Sequence, residues 1–284
     1  MAVTTLLKTP ALSVIDYRCS ARPGDAPFVE HHGAHSLSYV KKGSFGCRTV
    51  GGSFELVAGS ILIGYPGDEY VCTHDHAHGD ECLSFQLSDE LVDVIGDERS
   101  IWRMGILPPL PELTVLGGLA EAVAAGQSEL GLDEVGMLLA GRLFDVAAGV
   151  KPQPPQKSGA DRRRAVRAAL YLDANAHEPL DLEAVAKEVG LSSFHFLRLF
   201  AGVVGITPHQ YLLRCRLRRA AQLLADDTRP ITAIALDVGF ADLSNFVRTF
   251  HRAAGASPRA FRQGTRGERR AFRDRLARFT AEFR

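Results

Sequence analysis

The sequence predicts a two-domain α+β protein. An N-terminal antiparallel β-barrel or sandwich with following helices precedes a C-terminal all-α domain with two helix-turn-helix motifs. Three observations lead to this fold class. Short strand-like segments separated by turns fill residues 10–107, a Pro-rich polar segment lies near residue 155, and the last third of the chain contains a near-repeat. A length of 284 residues is typical of about two domains.

The N-terminal half alternates apolar segments with turn signals. The segments 37–40, 45–50, 54–57 and 61–63 are each followed by glycine or by a Pro-Gly-Asp turn, and Gly51-Gly52 predicts a hairpin. Farther on, Leu83, Phe85 and Leu87 alternate with Cys82, Ser84 and Gln86, as in a strand with two different faces. Short strands at this spacing predict an antiparallel barrel or sandwich.

Helical spacing begins after the strands and stops at a Pro-rich segment. Within residues 112–148 the apolar residues with helical spacing are Leu132, Val135, Leu138, Leu139, Leu143 and Val146. Residues 151–159 are rich in proline and polar side chains, which predicts a semi-rigid spacer. We therefore place a first domain at 1–150, a linker at 151–160 and a second domain at 161–284, and we expect the two halves to fold independently.

The two halves carry opposite charge, although the whole chain is formally neutral. Residues 1–160 hold 11 basic and 20 acidic residues, whereas residues 161–284 hold 22 basic and 13 acidic ones. All but one of the basic residues in the second half are arginines, which suit forked contacts to phosphates and base edges. This asymmetry favours a C-terminal half that meets a polyanion.

The near-repeat predicts two helix-turn-helix units. Residues 189–208 and 238–258 share the order Val-Gly, a short polar turn, Arg-x-Phe, and a closing Gly-x-x-Pro. Asp181 is a predicted N-cap of the first helix, Gly190 can end it, and Ser192 and Asp242 are predicted caps of the two second helices. Pro208 is expected at the first position of a long helix that connects the units.

The second helix of each unit leaves polar and charged side chains pointing outward once its apolar face is buried. Arginine can bind guanine and asparagine can bind adenine in the major groove, and helix N-termini present free N–H groups to phosphates. Arg198 and Arg248 could instead be solvated surface residues, but their matched positions favour DNA contact; for His195 a packing role stays equally open. The residues expected at DNA are Ser192, Ser193, Phe194, His195, Leu197, Arg198, Asp242, Ser244, Asn245, Val247 and Arg248.

Residues 180–262 resemble the DNA-binding domain of the AraC/XylS family of bacterial transcription regulators. The matching residues include Gly190-Leu191-Ser192, His195, Arg198-Leu199-Phe200, Gly205-Ile206-Thr207-Pro208, Tyr211, Gly239-Phe240, Phe246, Arg248-Thr249-Phe250 and Gly255-Ala256-Ser257-Pro258. The resemblance implies that the first recognition helix contacts DNA bases through Phe194, Leu197 and Arg198. It implies that the second recognition helix does so through Ser244, Asn245 and Arg248. It also implies a double-stranded DNA operator and RNA polymerase as partners of an activator, although repression stays open.

The same resemblance implies that the acidic half is a cupin-like barrel that senses an effector or forms a homodimer. Residues 59–70 resemble the second cupin motif, but Tyr70 occupies the approximate place of its metal-binding histidine. Ser36 likewise stands near the position of the glutamate of the first motif. A standard histidine-rich cupin metal centre is therefore not expected.

Soft ligands concentrate instead in residues 72–82. Thiolate and imidazole groups are the ligands that zinc and copper prefer, and two cysteines that flank a loop could also form a reversible disulfide. A polar hairpin with incidental histidines is the third interpretation, and the cofactor stays undetermined. The candidate metal ligands are Cys72, His74, His76, His78 and Cys82.

Two other functions compete with specific gene regulation: a cupin-type metalloenzyme with a helical appendage, and a nonspecific architectural DNA binder. The cupin metal motifs lack expected ligands, which argues against an enzyme. An enzyme would also leave the tandem repeat unexplained. The sequence shows no export signal and no apolar run long enough to span a membrane, and its five cysteines are irregularly spaced, so a cytoplasmic protein with reduced thiols is expected. Residues 264–284 predict a basic amphipathic helix, either packed on the domain or touching DNA or polymerase.

Overall fold

The computed structural model describes residues 1–49, 52–150, 158–226 and 228–265. Nine strands form the N-terminal half, and four helices follow or interrupt them before residue 150. The strands are β1 (Ala2–Lys8), β2 (Leu12–Cys19), β3 (Phe28–His31), β4 (His35–Thr49), β5 (Gly52–Val57), β6 (Ile61–Gly64), β7 (Glu69–Thr73), β8 (Asp80–Leu87) and β9 (Ile106–Leu107).

Eleven helices occur in the described part of the chain, seven of them in the C-terminal half. The first four are α1 (Asp89–Ile95), α2 (Arg99–Trp102), α3 (Pro111–Ala124) and α4 (Leu132–Ala147). The others are α5 (Gly159–Ala174), α6 (Leu182–Glu188), α7 (Ser193–Val204), α8 (Pro208–Asp226), α9 (Ile231–Asp237), α10 (Leu243–Ala254) and α11 (Pro258–Thr265).

All strand pairs are antiparallel, and β4 joins two faces of the sheet. The first face has the order β1-β2-β8-β4-β6-β9, and the second has the order β3-β7-β4-β5. The N-terminal half of β4 pairs with β6 and β8, while its C-terminal half pairs with β5 and β7. The predicted fold class, an antiparallel barrel followed by helices and then an all-α domain, is confirmed.

One difference from the sequence prediction lies in β4, which continues through residues 41–43 where the sequence predicts the end of a strand. Gly43 adopts a φ of +78°, and the register shifts between Val40 and Lys42. A β-bulge of this kind bends a strand without ending it. A Cβ atom at Gly43 would lie 2.3 Å from the carbonyl oxygen of Gly79. The close approach of β4 to Gly79 therefore needs glycine at this position.

Three apolar clusters hold the described residues together, and two of them contain residues from both halves. A cluster inside the barrel includes Phe45, Leu56 and Leu62. A second cluster runs from Leu37 and Phe85 through α3 and α4 to α8, α10 and α11. The third joins α5, the first helix-turn-helix unit and the first half of α8, and it includes Val57 of β5.

Several sequence predictions fall outside the described residues. They are the Val50 and Gly51 positions of the predicted hairpin, most of the Pro-rich linker (151–157), and the basic tail from residue 266 onward. The proposed domain division at 151–160 therefore stays a prediction.

Candidate nucleic-acid interface and barrel cavity

The first helix-turn-helix unit consists of α6 and α7, and its turn follows the predicted chemistry. The side chain of Asp181 accepts a hydrogen bond from the amide of Glu183 and caps α6. Gly190 has a φ of +70°, a left-handed conformation that lets the chain leave α6 within one residue. Ser192 caps α7 by accepting from the amide of His195.

Helix α7 buries Phe196 and Phe200 and presents its other face to solvent. Six residues of that face were singled out by the sequence, and all six are exposed: Ser192, Ser193, Phe194, His195, Leu197 and Arg198. The Phe194 side chain is 65% exposed, which is unusual for a large apolar residue. The Arg198 guanidinium lies 5.8 Å from the centre of the Phe194 ring, and the Nδ1 atom of His195 lies 3.1 Å from the Ser192 hydroxyl.

The second unit consists of α9 and α10 and repeats this construction. Gly239 has a φ of +94°, and a Cβ atom there would lie 2.7 Å from the carbonyl oxygen of Ala176. The Asp242 carboxylate accepts from the amide of Asn245 at 2.7 Å and caps α10. Phe246 and Phe250 are buried beneath the helix. The predicted caps and buried faces of both units are confirmed.

Helix α10 exposes Asp242, Ser244, Asn245 and Arg248 on one side. The Arg248 guanidinium donates to the Asn245 side-chain oxygen at 3.3 Å, so the two polar groups form one connected surface. Val247 differs from the expectation of an outward side chain because it is half-buried and packs against the core. The exposed faces of α7 and α10 therefore carry an arginine at the same place in each helix, Arg198 and Arg248.

Helix α8 connects the two units, and two of its arginines, Arg216 and Arg218, bind groups outside the helix. Thr207 and Gln210 form a reciprocal cap at its start, and Pro208 is its first residue, as predicted. Arg216 donates to the carbonyl oxygens of Ala176 and Glu178, which lie before α6. These contacts fix α8 to the chain segment that enters the first unit.

Arg218 of α8 joins the two halves of the chain, a role that sequence reasoning missed. Its guanidinium forms an ion pair with Asp173 of α5 and lies 3.9 Å from the carboxylate of Glu121 of α3. The side chain of Gln222 donates to the other Glu121 oxygen at 2.9 Å. Burial raises the pKa of Glu121 to about 7, although the Arg218 charge acts in the opposite direction.

A second polar contact between the halves centres on Glu55 of β5. Its buried carboxylate lies 3.5 Å from the Arg162 guanidinium of α5 and 3.4 Å from the imidazole of His76. Helices α5 and α7 pack against β5 around this group, while α3 packs against α8 and α10. Both helix-turn-helix units therefore contact the N-terminal half directly.

The barrel contains a partly open cavity of about 100 Å³ that is lined by sulfur, aromatic and polar side chains. Residues from both faces of the sheet contribute, among them Phe28, Phe45, Leu62, Cys72 and Cys82. Cys82, Ser84 and Gln86 thus face the cavity, whereas Leu83, Phe85 and Leu87 face the core, which explains the alternation seen in β8.

The five candidate ligands of residues 72–82 do not converge on one point. Cys72 lies opposite Cys47 on β4, and Cys82 lies opposite Tyr17 on β2, both as free thiols whose pKa values are raised by burial. The three histidines point apart. His74 contacts Asp80 at 2.8 Å, His76 lies against Glu55, and His78 is exposed.

Tyr70, which the sequence comparison placed near the metal-binding histidine of the second cupin motif, is bonded to another protein side chain. The Tyr70 hydroxyl donates to Glu30, and the ring of Tyr70 stacks on His32 with 4.4 Å between centres. Burial lowers the pKa of His32 to about 4, so this imidazole is neutral near pH 7.

No helix in the described ranges combines the length and the apolar character that a membrane span requires.

Comparisons with known proteins concern mainly the C-terminal half. Residues 185–264 match the family described as Helix-turn-helix domain. The MmsAB operon regulatory protein of Pseudomonas aeruginosa is 34% identical over 96 residues, 34% of this chain and 31% of that protein. The HTH-type transcriptional activator RhaS of Escherichia fergusonii is 38% identical over 94 residues, 33% of this chain and 34% of that protein.

A solved structure from Chromobacterium violaceum, a transcriptional regulator with an AraC-type DNA-binding domain, is 31% identical. The match covers 38% of this chain and 96% of the solved chain, with a TM-score of 0.36. The matches span only about a third of the length of the curated relatives.

Proposed function

This chain carries the tandem helix-turn-helix domain of the AraC/XylS family, and from this premise we propose that it is a sequence-specific transcription regulator. The observation that supports the proposal best is the pair of matched helices α7 and α10, each capped by a side chain and each exposed along one face. The protein acts by binding, without a catalytic step. As a regulator of chromosomal genes it works in the cytoplasm.

The proposed partner is a double-stranded DNA operator read in the major groove by both units. Arg198 and Arg248 bind guanine edges or adjacent phosphates, and Asn245 binds adenine. Phe194 and Leu197 are exposed and apolar, which suits contact with thymine methyl groups. The amides at the starts of α7 and α10, near Ser193 and Ser244, face backbone phosphates. On one face of the DNA, two such helices occupy major grooves about 34 Å apart.

The N-terminal domain, residues 1–150, supplies the signal in this proposal. We assign the effector site to its barrel cavity, and its direct contacts with α5, α7, α8 and α10 provide a physical route from that cavity to the DNA-binding half, residues 161–284. RNA polymerase and a second copy of the chain are the further partners proposed. Residues 72–82 remain the proposed input segment, through metal or thiol chemistry.

The competing functions lack comparable support. A cupin-type enzyme needs metal ligands where Tyr70 and Glu30 instead bind each other. An architectural DNA binder would not need a connected polar face such as Arg248 and Asn245, because backbone contacts alone carry nonspecific affinity.

The test is genome-wide mapping of bound sites in the native host, followed by affinity measurements on the sites found. We expect a shared sequence with two half-elements about one helical turn apart. At about 150 mM salt the operator should bind at least about 10³-fold more tightly than random DNA. Equal affinity for both would assign the protein to the architectural class, and metal-dependent turnover would assign it to the enzymes.

A further inference from the structure

Three chemically different metal-ligating groups from separate places in the sequence meet at the edge of the barrel cavity. We propose that Cys19, His74 and Asp80 form a binding site for a divalent cation of the zinc class. One ligand atom from each side chain, a sulfur, an imidazole nitrogen and a carboxylate oxygen, lies within 4.8 Å of the other two. This set is different from the one that the sequence suggested, since it includes Cys19 and omits His76 and His78.

The sheet itself brings the three groups together. Cys19 is the last residue of β2, Asp80 is the first residue of β8, and the two are paired across the antiparallel ladder. His74 directly follows β7, and the loop 75–79 returns the chain to β8. Two of the ligands are therefore fixed by strand pairing, and the third is fixed by the end of a neighbouring strand.

A close backbone contact holds the loop in this place. The amide of Gly79 donates to the carbonyl oxygen of Ala21 at 2.9 Å. A Cβ atom at Gly79 would lie only 2.2 Å from the carbonyl oxygen of Cys19, so the loop approaches the end of β2 as closely as glycine allows. The ligand positions are thus set by backbone contacts and not by flexible side chains alone.

The surroundings orient the ligands as metal sites require. The Nε2 atom of His74 lies 2.8 Å from one oxygen of Asp80, while the other oxygen accepts from the Cys82 thiol at 3.3 Å. Phe28 stacks on the His74 ring at 6.1 Å and shields it from water. Hydrogen bonds to a ligating carboxylate and an apolar shell are typical supports of metal ligands.

The donor set selects the class of ion. Thiolate, imidazole and carboxylate together are ligands of zinc, which accepts all three in a tetrahedral site with ligand atoms about 3.5 Å apart. The three ligand atoms, which lie within 4.8 Å of one another, need to approach by about 1 Å to reach this spacing. Three protein ligands leave one position for water or an effector group, as in open zinc sites. A simple ion pair between His74 and Asp80 would account for those two residues, but not for the Cys19 thiol at the same point.

The experiment is a zinc titration of the full-length, reduced protein against a chromophoric chelator, repeated with cobalt as a spectroscopic probe. We expect one ion per chain and a thiolate-to-cobalt charge-transfer band. Cys19→Ser should remove that band, and Cys19→Ser, His74→Ala and Asp80→Asn should each weaken zinc binding at least about tenfold. His78→Ala, an exposed histidine of the same loop, is the matched control and should bind zinc like the wild type.

Fluorescence of Trp102, which is fully buried in the N-terminal half, shows whether each variant is folded. Folded Cys19→Ser and Asp80→Asn variants that bind zinc with wild-type affinity would overturn the proposal. So would a wild type that binds no stoichiometric zinc, or an equal loss of affinity in His78→Ala. The inference goes beyond the proposed function, and operator affinity of the same preparations, measured without metal, tests that function separately.

Discussion

At the residue scale, the proposed function assigns the choice of DNA sequence to the exposed cations Arg198 of α7 and Arg248 of α10. Arg198 lies beside Phe194, and Arg248 is connected to Asn245, so each guanidinium is held near the start of an exposed helical face. Neither has an acidic partner among the ion pairs found in the described residues, and both are exposed. Their charge is therefore available to a ligand.

Replacing Arg198 or Arg248 by alanine should weaken operator binding by about 1–3 kcal/mol and relax specificity at one base position. The reason is the loss of a forked contact that a shorter side chain cannot replace. Affinity for the operator and for random DNA should be measured by fluorescence anisotropy at one fixed salt concentration. Arg22→Ala, an exposed arginine of the N-terminal half, serves as the control. If both variants bind operator and random DNA like the wild type, these arginines do not read bases.

The raised pKa of Glu121 predicts that the stability of the folded protein depends on pH. Its carboxyl group has a pKa of about 7 in the folded protein against an ordinary value of 4.5, chiefly because it is buried. The folded state therefore binds the proton more tightly than the unfolded state does. This contribution to stability is full below about pH 4.5 and is lost as the pH rises through about 7.

Between about pH 5 and about pH 8, the wild type should lose stability relative to Glu121→Gln, by roughly 3 kcal/mol at most. The amide keeps the hydrogen bond from Gln222 but cannot ionise. Urea unfolding of both proteins across this range measures the difference. The difference in unfolding free energy between the two proteins could instead stay constant with pH, or the wild type could gain stability relative to Glu121→Gln as the pH rises. Either result would show that Arg218 keeps Glu121 ionised throughout.

At the element scale, helix α3 lies between the barrel and the DNA-binding half because two adjacent glycines let it approach both. A Cβ atom at Gly117 would lie 2.1 Å from the Tyr39 ring of β4. A Cβ atom at Gly118 would lie 2.5 Å from the carbonyl oxygen of Arg218 in α8. One side of the helix thus contacts the barrel, and the other contacts the connecting helix α8.

Gly118→Ala should destabilise the protein by about 1–3 kcal/mol, because the backbone of α8 cannot move aside without disturbing its own packing. Gly141→Ala is the matched control, since this helical glycine of α4 has no neighbouring atom within 4 Å of a Cβ position. It should stabilise the protein by about 0.5–1 kcal/mol through helix propensity. Thermal or urea unfolding measures both. Equal effects of the two substitutions would mean that α3 does not lie this close to α8.

The helix-turn-helix elements could be predicted from sequence because their signals are local. Asp181, Ser192 and Asp242 cap helices within three residues of themselves, and the left-handed glycines mark where those helices end. The long strand β4 could not be predicted in the same way. Gly43 gives the same local signal in a turn and in a bulge, and only the partner strands on both sides of it decide between them.

At the scale of the whole molecule, the contacts between the halves were beyond sequence reasoning. Arg218 stands in a run of arginines that the sequence presents as surface charge, yet its partners Glu121 and Asp173 come from distant helices. The cavity ligand Cys19 was missed for the same reason, because only the pairing of β2 with β8 places it beside Asp80. Long-range packing, rather than local pattern, determines both sites.

The continuous apolar cluster from the barrel to α11 predicts that the two halves unfold together. The Pro-rich linker by itself predicts independent halves, but Leu217 and Leu224 of α8 share a core with Leu116 and Leu119 of α3. Separating the halves would expose this surface to water. In urea, the fluorescence of Trp102, the single tryptophan of the chain, should therefore lose its native value together with the helical circular dichroism.

For the wild type, we expect the fluorescence and the circular dichroism to change with the same urea midpoint. In the Gly118→Ala variant the two midpoints should differ, because the substitution weakens the contact between α3 and α8. Since Trp102 reports on the N-terminal half and most helices lie in the C-terminal half, the two signals distinguish the halves without added labels. Separate transitions in the wild type would show that the contact contributes little. A signal could then reach the recognition helices only through the linker or through the way two copies of the chain associate, and not through α3.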